Sequence, residues 1–151
     1  MFSQISRASI CAGILTLVSA LALHAQDVDW LANVKSLGNC EGCVIDGQDF
    51  SGRRLSGINF TSAQLSNVSF DNTAMTIAVF DGAVLRGVSF NGTDLKGASF
   101  IGARLEDVTF VGANLKGAVF EDAVLEKTDL GPALLCNTQV PGDVLDNSDC
   151  E

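Results

Sequence analysis

From Ile45 to Leu135 every fifth residue is large and apolar. In order these are Ile45, Phe50, Leu55, Phe60, Leu65, Phe70, Met75, Phe80, Leu85, Phe90, Leu95, Phe100, Leu105, Phe110, Leu115, Phe120, Leu125, Leu130 and Leu135. A period of five fits neither regular element. On an α-helix, five residues advance the side chain by about 500°, so the apolar groups drift around the cylinder. On a flat strand they alternate between faces. The chain must therefore bend once per repeat. A second column shows where: two residues before the centre the residue is usually small, as at Ala63, Val68, Thr73, Ala78 and Ala83. A spacing of two sends both groups to one side of an extended segment. After the centre come pairs such as Asp81-Gly82, Arg86-Gly87, Asn91-Gly92 and Lys96-Gly97, which suit turns. Each repeat reads as a very short strand followed by a corner.

The centres carry a further regularity. From Phe60 to Leu125 they alternate Phe with Leu, Met75 being the one stand-in. If four repeats make one coil, two opposite walls carry Phe and the other two carry Leu. Residues twenty apart, such as Phe70, Phe90 and Phe110, then stack on one wall. Coils spaced by the inter-strand distance of roughly 4.8 Å give a rod roughly 20–25 Å long. The expected core stack is Phe50, Phe60, Phe70, Phe80, Phe90, Phe100, Phe110 and Phe120, with Leu55, Leu65, Leu85, Leu95, Leu105, Leu115 and Leu125. Each buried Phe or Leu contributes about 1.5–3 kcal/mol.

These segments resemble the pentapeptide repeat family, whose pattern is A-(D/N)-L-x-x. Ala113-Asn114-Leu115-Lys116-Gly117, Thr93-Asp94-Leu95-Lys96-Gly97 and Thr128-Asp129-Leu130 carry the resemblance. It implies an all-β fold, a right-handed quadrilateral β-helix. Period and residue size alone give a solenoid with corners; the handedness and square section come from the resemblance.

The flanks read differently. Residues 1–25 have the form of a secretory signal peptide: Arg7 supplies a positive start, Ala8 to Leu23 an apolar run, and Ala22 and Ala25 candidate cleavage points. The alternative is an uncleaved membrane anchor, for which the run is short. Residues 26–44 are expected to cap the rod's lower end. Trp30, Leu31, Val34 and Leu37 fall at helical spacing, Asp27 or Asp29 can start a short helix and Gly38 can end it. Solenoids need such caps, because a bare end exposes both strand edge and core. Residues 45–135 form the β-helix without a linker. Residues 136–151 form the upper cap, where Pro141-Gly142 signals a turn. This tail also resembles the C-x-T-x-x-P segment, followed by a closing Cys, that ends some family members. Within the repeats, Asn72 to Val79 lacks the usual polar and Gly residues, so Ile77 and Val79 are expected to face solvent, as a docking patch or as ordinary repeat drift.

The chain carries a net charge of −9. Removal of the leader takes Arg7 and leaves eight Lys and Arg against eighteen Asp and Glu, a net charge of −10. That argues against nucleic acid as a partner, which needs a basic surface. The acids spread over the corners as a solvated surface, with modest clusters at Glu106-Asp107, Glu121-Asp122 and Glu126. The sharper reading is an acidic docking face. Some cytoplasmic members of the family are thought to imitate DNA in this way and protect gyrase. An export signal and cysteines set this chain apart from them.

Outside the leader four cysteines remain, Cys40, Cys43, Cys136 and Cys150, an even number that suggests disulfides in an exported protein. A rod of the expected length separates the first two from the last two by far more than the roughly 4.4–6.8 Å that a disulfide allows between Cα atoms. The expected bonds are Cys40–Cys43 and Cys136–Cys150, one in each cap. The same separation argues against a four-cysteine zinc site. Cys40-x-x-Cys43 also has a redox reading, but it follows a helix and enters a solenoid, with no βαβ unit around it.

The single histidine, His24, lies in or beside the leader, and there is no tyrosine. Histidine-based acid–base, nucleophilic and metal chemistry therefore have no carrier in the mature domain. Carboxylate pairs would sit on convex corners rather than in a water-excluding cleft. No calcium-loop motif is present. Triplets such as Asn91-Gly92-Thr93 arise cheaply in this composition. The chain reads as a non-catalytic, cofactor-free structural or interaction module, periplasmic or secreted, with an unknown protein partner and no membrane anchor after cleavage. The alternatives are a thiol-redox protein using Cys40 and Cys43, or a DNA-mimicking gyrase-protecting protein.

Overall fold

The computed structural model describes residues 38–151. The leader, and the helix expected between Gln26 and Gly38 apart from Gly38 itself, lie outside the described residues.

Twenty residues make one turn. Five three-residue strands, β1 (Val44–Asp46), β2 (Gln64–Ser66), β3 (Val84–Arg86), β4 (Arg104–Glu106) and β5 (Val124–Glu126), form one parallel sheet in chain order. Val44 pairs with Gln64, Gln64 with Val84, Val84 with Arg104, and Arg104 with Val124. The same step recurs on three more faces as single bridges. One face runs Asp49, Ser69, Ser89, Thr109; the next Arg54, Ala74, Asp94, Asn114, Leu134; the last Asn39, Asn59, Val79, Ser99, Val119, Gln139. The molecule is thus an all-β solenoid of four walls, numbered 1 to 4 from the wall of β1, with five residues to a wall.

The corners explain why the period is five. The residue two places after each centre turns the chain, and from Gly42 to Lys127 every such residue has positive φ. Glycine adopts this left-handed conformation freely, and Asn or Asp at modest cost. Asn67, Asn72, Asp107 and Asp122 fill corners accordingly. Pro132 occupies the next such position and cannot adopt it. The regular corner fails there, and wall 2 has no bridge from Thr109 up to Asp129.

The interior is filled. Phe60, Phe70, Phe80, Phe90, Phe100 and Phe120 are fully buried, as are Leu65, Leu85, Leu95, Leu105 and Leu115. The Phe rings form two columns on opposite walls. On wall 2, rings 50, 70, 90 and 110 stack at 5.3 Å spacing. On wall 4, rings 60, 80, 100 and 120 close from 5.2 to 4.6 Å as the interplanar angle falls from 20° to 2°. The columns meet edge to face, Phe110 and Phe120 lying at 87° and 6.2 Å. Both arrangements suit the ring quadrupole, with the negative face of one ring offset from its stacked neighbour and met by the positive edge of the other column. Threonine takes the small inward position where its hydroxyl can reach the coil below. Thr73, Thr93 and Thr138 donate to the carbonyls of Phe50, Phe70 and Leu115 at 3.0, 2.6 and 2.8 Å. These hydroxyls are buried and satisfied, so they do not carry the penalty of an unpaired polar group.

Two expected core residues differ. Leu55 and Leu125 are only half-buried. Each is the end rung of its wall among the described residues, with a described coil on one side of it.

Above wall 3 the chain continues in register to Gln139, then leaves it. β6 (Thr138–Val140) and β7 (Val144–Asp146) form an antiparallel hairpin around Gly142 and Asp143, both at positive φ.

Candidate interaction surface

Among the described residues the interior is packed, and the surface they offer is the outer faces of the walls. On wall 1 three ion pairs link successive coils: Arg86–Glu106 at 3.2 Å, Arg104–Glu126 at 2.5 Å and Lys127–Asp107 at 3.8 Å. All are well solvated, so each is worth about 0–1 kcal/mol. Wall 2 carries a hydrogen-bonded ladder of small polar side chains. Asp71 accepts from the Ser89 hydroxyl and, at 2.9 Å, from the Asn91 backbone N–H. The Asn91 side-chain amide donates to Ser89 at 2.9 Å, and its carbonyl oxygen accepts from the Val111 N–H at 3.0 Å. Wall 4 repeats the device, Asp81 accepting from the Ser99 hydroxyl at 2.5 Å and the Ile101 N–H at 3.1 Å. The first residue past the centre thus reaches up one coil and satisfies an outward backbone donor. Some of the acidic charge is therefore part of the scaffold. At the lower end of wall 2, hydrogen bonds from the Ser51 side chain and backbone hold the Asp49 carboxyl below the ordinary aspartate range.

The sequence marks Ile77 and Val79 as outward. Ile77 is 65% exposed, whereas Val79 is half-buried. Ile77 fills a corner at φ 53°, a conformation that a β-branched residue rarely adopts and that costs about 1–2 kcal/mol. Its side chain lies along the corner over Gly97, where an added Cβ would stand 3.4 Å from Ile77 Cγ2. No long apolar stripe forms around it. Ser99 stands between Val79 and Val119 on wall 4, and Arg104 between Val84 and Val124 on wall 1. The corner role of Ile77 was missed from sequence, although its place in the glycine column was the signal.

Cys40 and Cys43 are bonded across the first corner, their Cα atoms 5.2 Å apart. Cys40 is only 2% exposed and stands in the wall 4 column one turn below Phe60, at the five-residue phase of the core. Cys136 and Cys150 are bonded at the other end, with Cα atoms 4.8 Å apart and Cys150 exposed. Among the described residues no group of three or more His, Cys, Asp or Glu is placed to hold a metal ion. Nor is any helix there long and apolar enough to cross a membrane.

Comparison with known proteins matches this geometry. A family model described as pentapeptide repeats (9 copies) matches residues 78–124, and another, pentapeptide repeats (8 copies), matches residues 39–76. No curated protein matches the sequence. Among solved structures, a pentapeptide repeat protein from the thylakoid lumen of Arabidopsis thaliana is 27% identical, with a TM-score of 0.54 over 71% of each chain. HetL, a pentapeptide repeat protein involved in heterocyst differentiation regulation in the cyanobacterium Nostoc sp. strain PCC 7120, is 20% identical. Its TM-score is 0.45, over 72% of this chain and 60% of its own. QnrB1, a plasmid-mediated fluoroquinolone resistance protein, is 21% identical with a TM-score of 0.44, over 66% of this chain and 49% of its own. The two family models together take in more than half of the sequence, on the same five-residue period that the walls and corners display: the chain belongs to the pentapeptide repeat family.

Proposed function

We propose that this chain is a non-catalytic protein-docking or structural module that works outside the cytoplasm. The observation that carries the reading is a disulfide at each end of a filled solenoid. Disulfides persist in oxidising compartments and are rare in the cytosol. Residues 1–25 supply an apolar leader of the kind that export requires. The Arabidopsis relative is from the thylakoid lumen, which supports the same placement. The packed interior offers no cleft in which carboxylates could work without water, and rigid flat walls are suited to binding another protein. The burial of Cys40, 2% exposed in the core column, favours a structural bond over the redox alternative, in which the half-buried Cys43 would be the attacking thiol.

The test is expression of the full-length chain in a Gram-negative host, cross-linking of intact cells, and purification from each fraction. Recovery from the extracytoplasmic fraction, cut after Ala22 or Ala25 and cross-linked to one reproducible protein, supports the reading. Recovery only from the cytoplasm with the leader intact overturns the compartment. Disulfide-reductase turnover that is lost in Cys43→Ser overturns the non-catalytic assignment.

A further inference from the structure

The five-residue phase does not stop where the solenoid does. Beyond Leu135 it continues through Val140, Leu145 and Cys150. Gly142 and Asn147 fall at the corner positions, and both residue types tolerate positive φ. Val144-Leu145-Asp146 restates Val124-Leu125-Glu126 twenty residues on, which is one full turn. On phase, this segment would lie on the upper edge of β5. It does not: it is β7 and pairs backwards with β6, leaving Val144 and Leu145 57% and 56% exposed.

β5 meanwhile has a partner on its lower side only. The corner donors of wall 1 form a column in which each N–H reaches the coil above. Gly47 donates to Ser66, Asn67 to Arg86, Gly87 to Glu106 and Asp107 to Glu126, at 2.9 to 3.0 Å. Lys127 is next, and its on-phase acceptor is the Asp146 carbonyl.

What holds the tail elsewhere is short-range. Asp149 bonds both the N–H and the carbonyl of Leu135, at 3.0 and 2.8 Å, and Asn147 accepts from the Asn137 N–H at 2.8 Å. Cys150 is tied to Cys136 on wall 3. On phase, Cys150 would instead stand above Leu130 on wall 2, around a corner from Cys136, so the bond holds Cys150 off that phase. One residue fits the rung poorly: Asp143 would take a small inward position, where its carboxylate could stay wet only because this coil is the open end.

We propose that Cys136–Cys150 is a redox latch and that its opening transfers β7 from β6 to the upper edge of β5. A dithiol attacks the exposed Cys150 sulfur and the Cys136 thiolate leaves, taking a proton from water. The second thiol of the reductant then resolves the mixed disulfide. Cys136 and Cys150 gain two electrons and two protons, and the reductant leaves as its own disulfide. The transfer buries Leu145 over the core, supplies an acceptor to Lys127, and uncovers the edge at Leu135–Asn137.

Amide hydrogen exchange on the full chain tests this, with dithiothreitol as the dithiol. In the oxidised protein Lys127 exchanges fast. On reduction its exchange slows by about tenfold or more, and Leu145→Asp abolishes the slowing. A second measurement uses Val124→Cys with Val144→Cys in a Cys136→Ser, Cys150→Ser background. The new pair cross-links under mild oxidation there and fails to do so while Cys136–Cys150 is intact. Unchanged Lys127 exchange, whether the tail stays on β6 or comes loose, overturns the proposal. So does a cross-link that forms equally with the latch closed.

Discussion

The middle of the rod and its upper end are built from the same repeat and behave differently. From Phe70 to Phe100 each ring has ring neighbours above, below and across, and the backbone donors of each coil find acceptors in the next. From Val124 on, the same inward residues lose one neighbour, Leu125 is half-buried, Pro132 breaks a corner, and a disulfide takes over from stacking. The repeat alone cannot terminate itself, because every coil presents an edge identical to the one it covers. The end must therefore depart from the repeat, and it does so with proline, a hairpin and a covalent bond.

The largest expected effect lies in the middle. Phe90→Ala removes a ring stacked in one column and met edge to face by the other, and should cost about 3–5 kcal/mol, read as a fall in denaturant midpoint. A loss below about 1 kcal/mol would show that the coils slide to refill the gap. At the end, Cys136→Ser with Cys150→Ser opens a loop of sequence separation 14 and should cost about 3 kcal/mol by the same measurement. Leu85→Ala and Leu125→Ala compare the two regions on one wall. The buried site should lose about 2–5 kcal/mol and the half-buried one about 1–2 kcal/mol. Equal losses would erase the distinction between middle and end. Ile77→Gly should raise stability by about 1 kcal/mol, since the corner is strained and the side chain is mostly exposed. If the same change also abolishes capture of a partner in the cross-linking experiment, Ile77 belongs to the docking surface.

The smallest effect is electrostatic and sits at the opposite end of the rod. Ser51 holds the Asp49 carboxyl low in the folded chain. A depressed folded value means that the folded state favours the ionised form. The contribution is therefore present above the unfolded aspartate value of about 3.9 and is lost as pH falls through the lower, folded one. Asp49→Asn should flatten the stability profile below about pH 4 by a small amount, seen in thermal melts across that range. An unchanged profile would mean that this hydrogen bond is fully replaced by water.

Much of this was legible in the chain. The inward column from Ile45 to Leu135 is readable because only one kind of path places every fifth residue inside. The division into Phe and Leu walls follows from a strict alternation, since four walls return each residue type to its own column. Corner chemistry was half legible: Gly signals a turn, but Ser62, Ile77 and Lys127 hold the same positive φ with side chains that ordinarily avoid it. At Ser62 and Ile77 the coils above and below impose the conformation, and at Lys127 the coil below does. The threonine hydroxyls, too, read only as small residues until the coil below supplied the carbonyl that they bond.

The sequence by itself determined the period, the inward residues and the alternation of the walls, because these depend on spacing and side-chain size along one chain. Only the tertiary structure decided which ring meets which edge on, which acids serve the scaffold, and where stacking stops. The tail shows the difference most plainly. Its sequence keeps the phase through Leu145 and Cys150, yet β7 turns back upon β6. Local pattern permits either path; the partners at Leu135 and Asn137 and the bond to Cys136 choose between them.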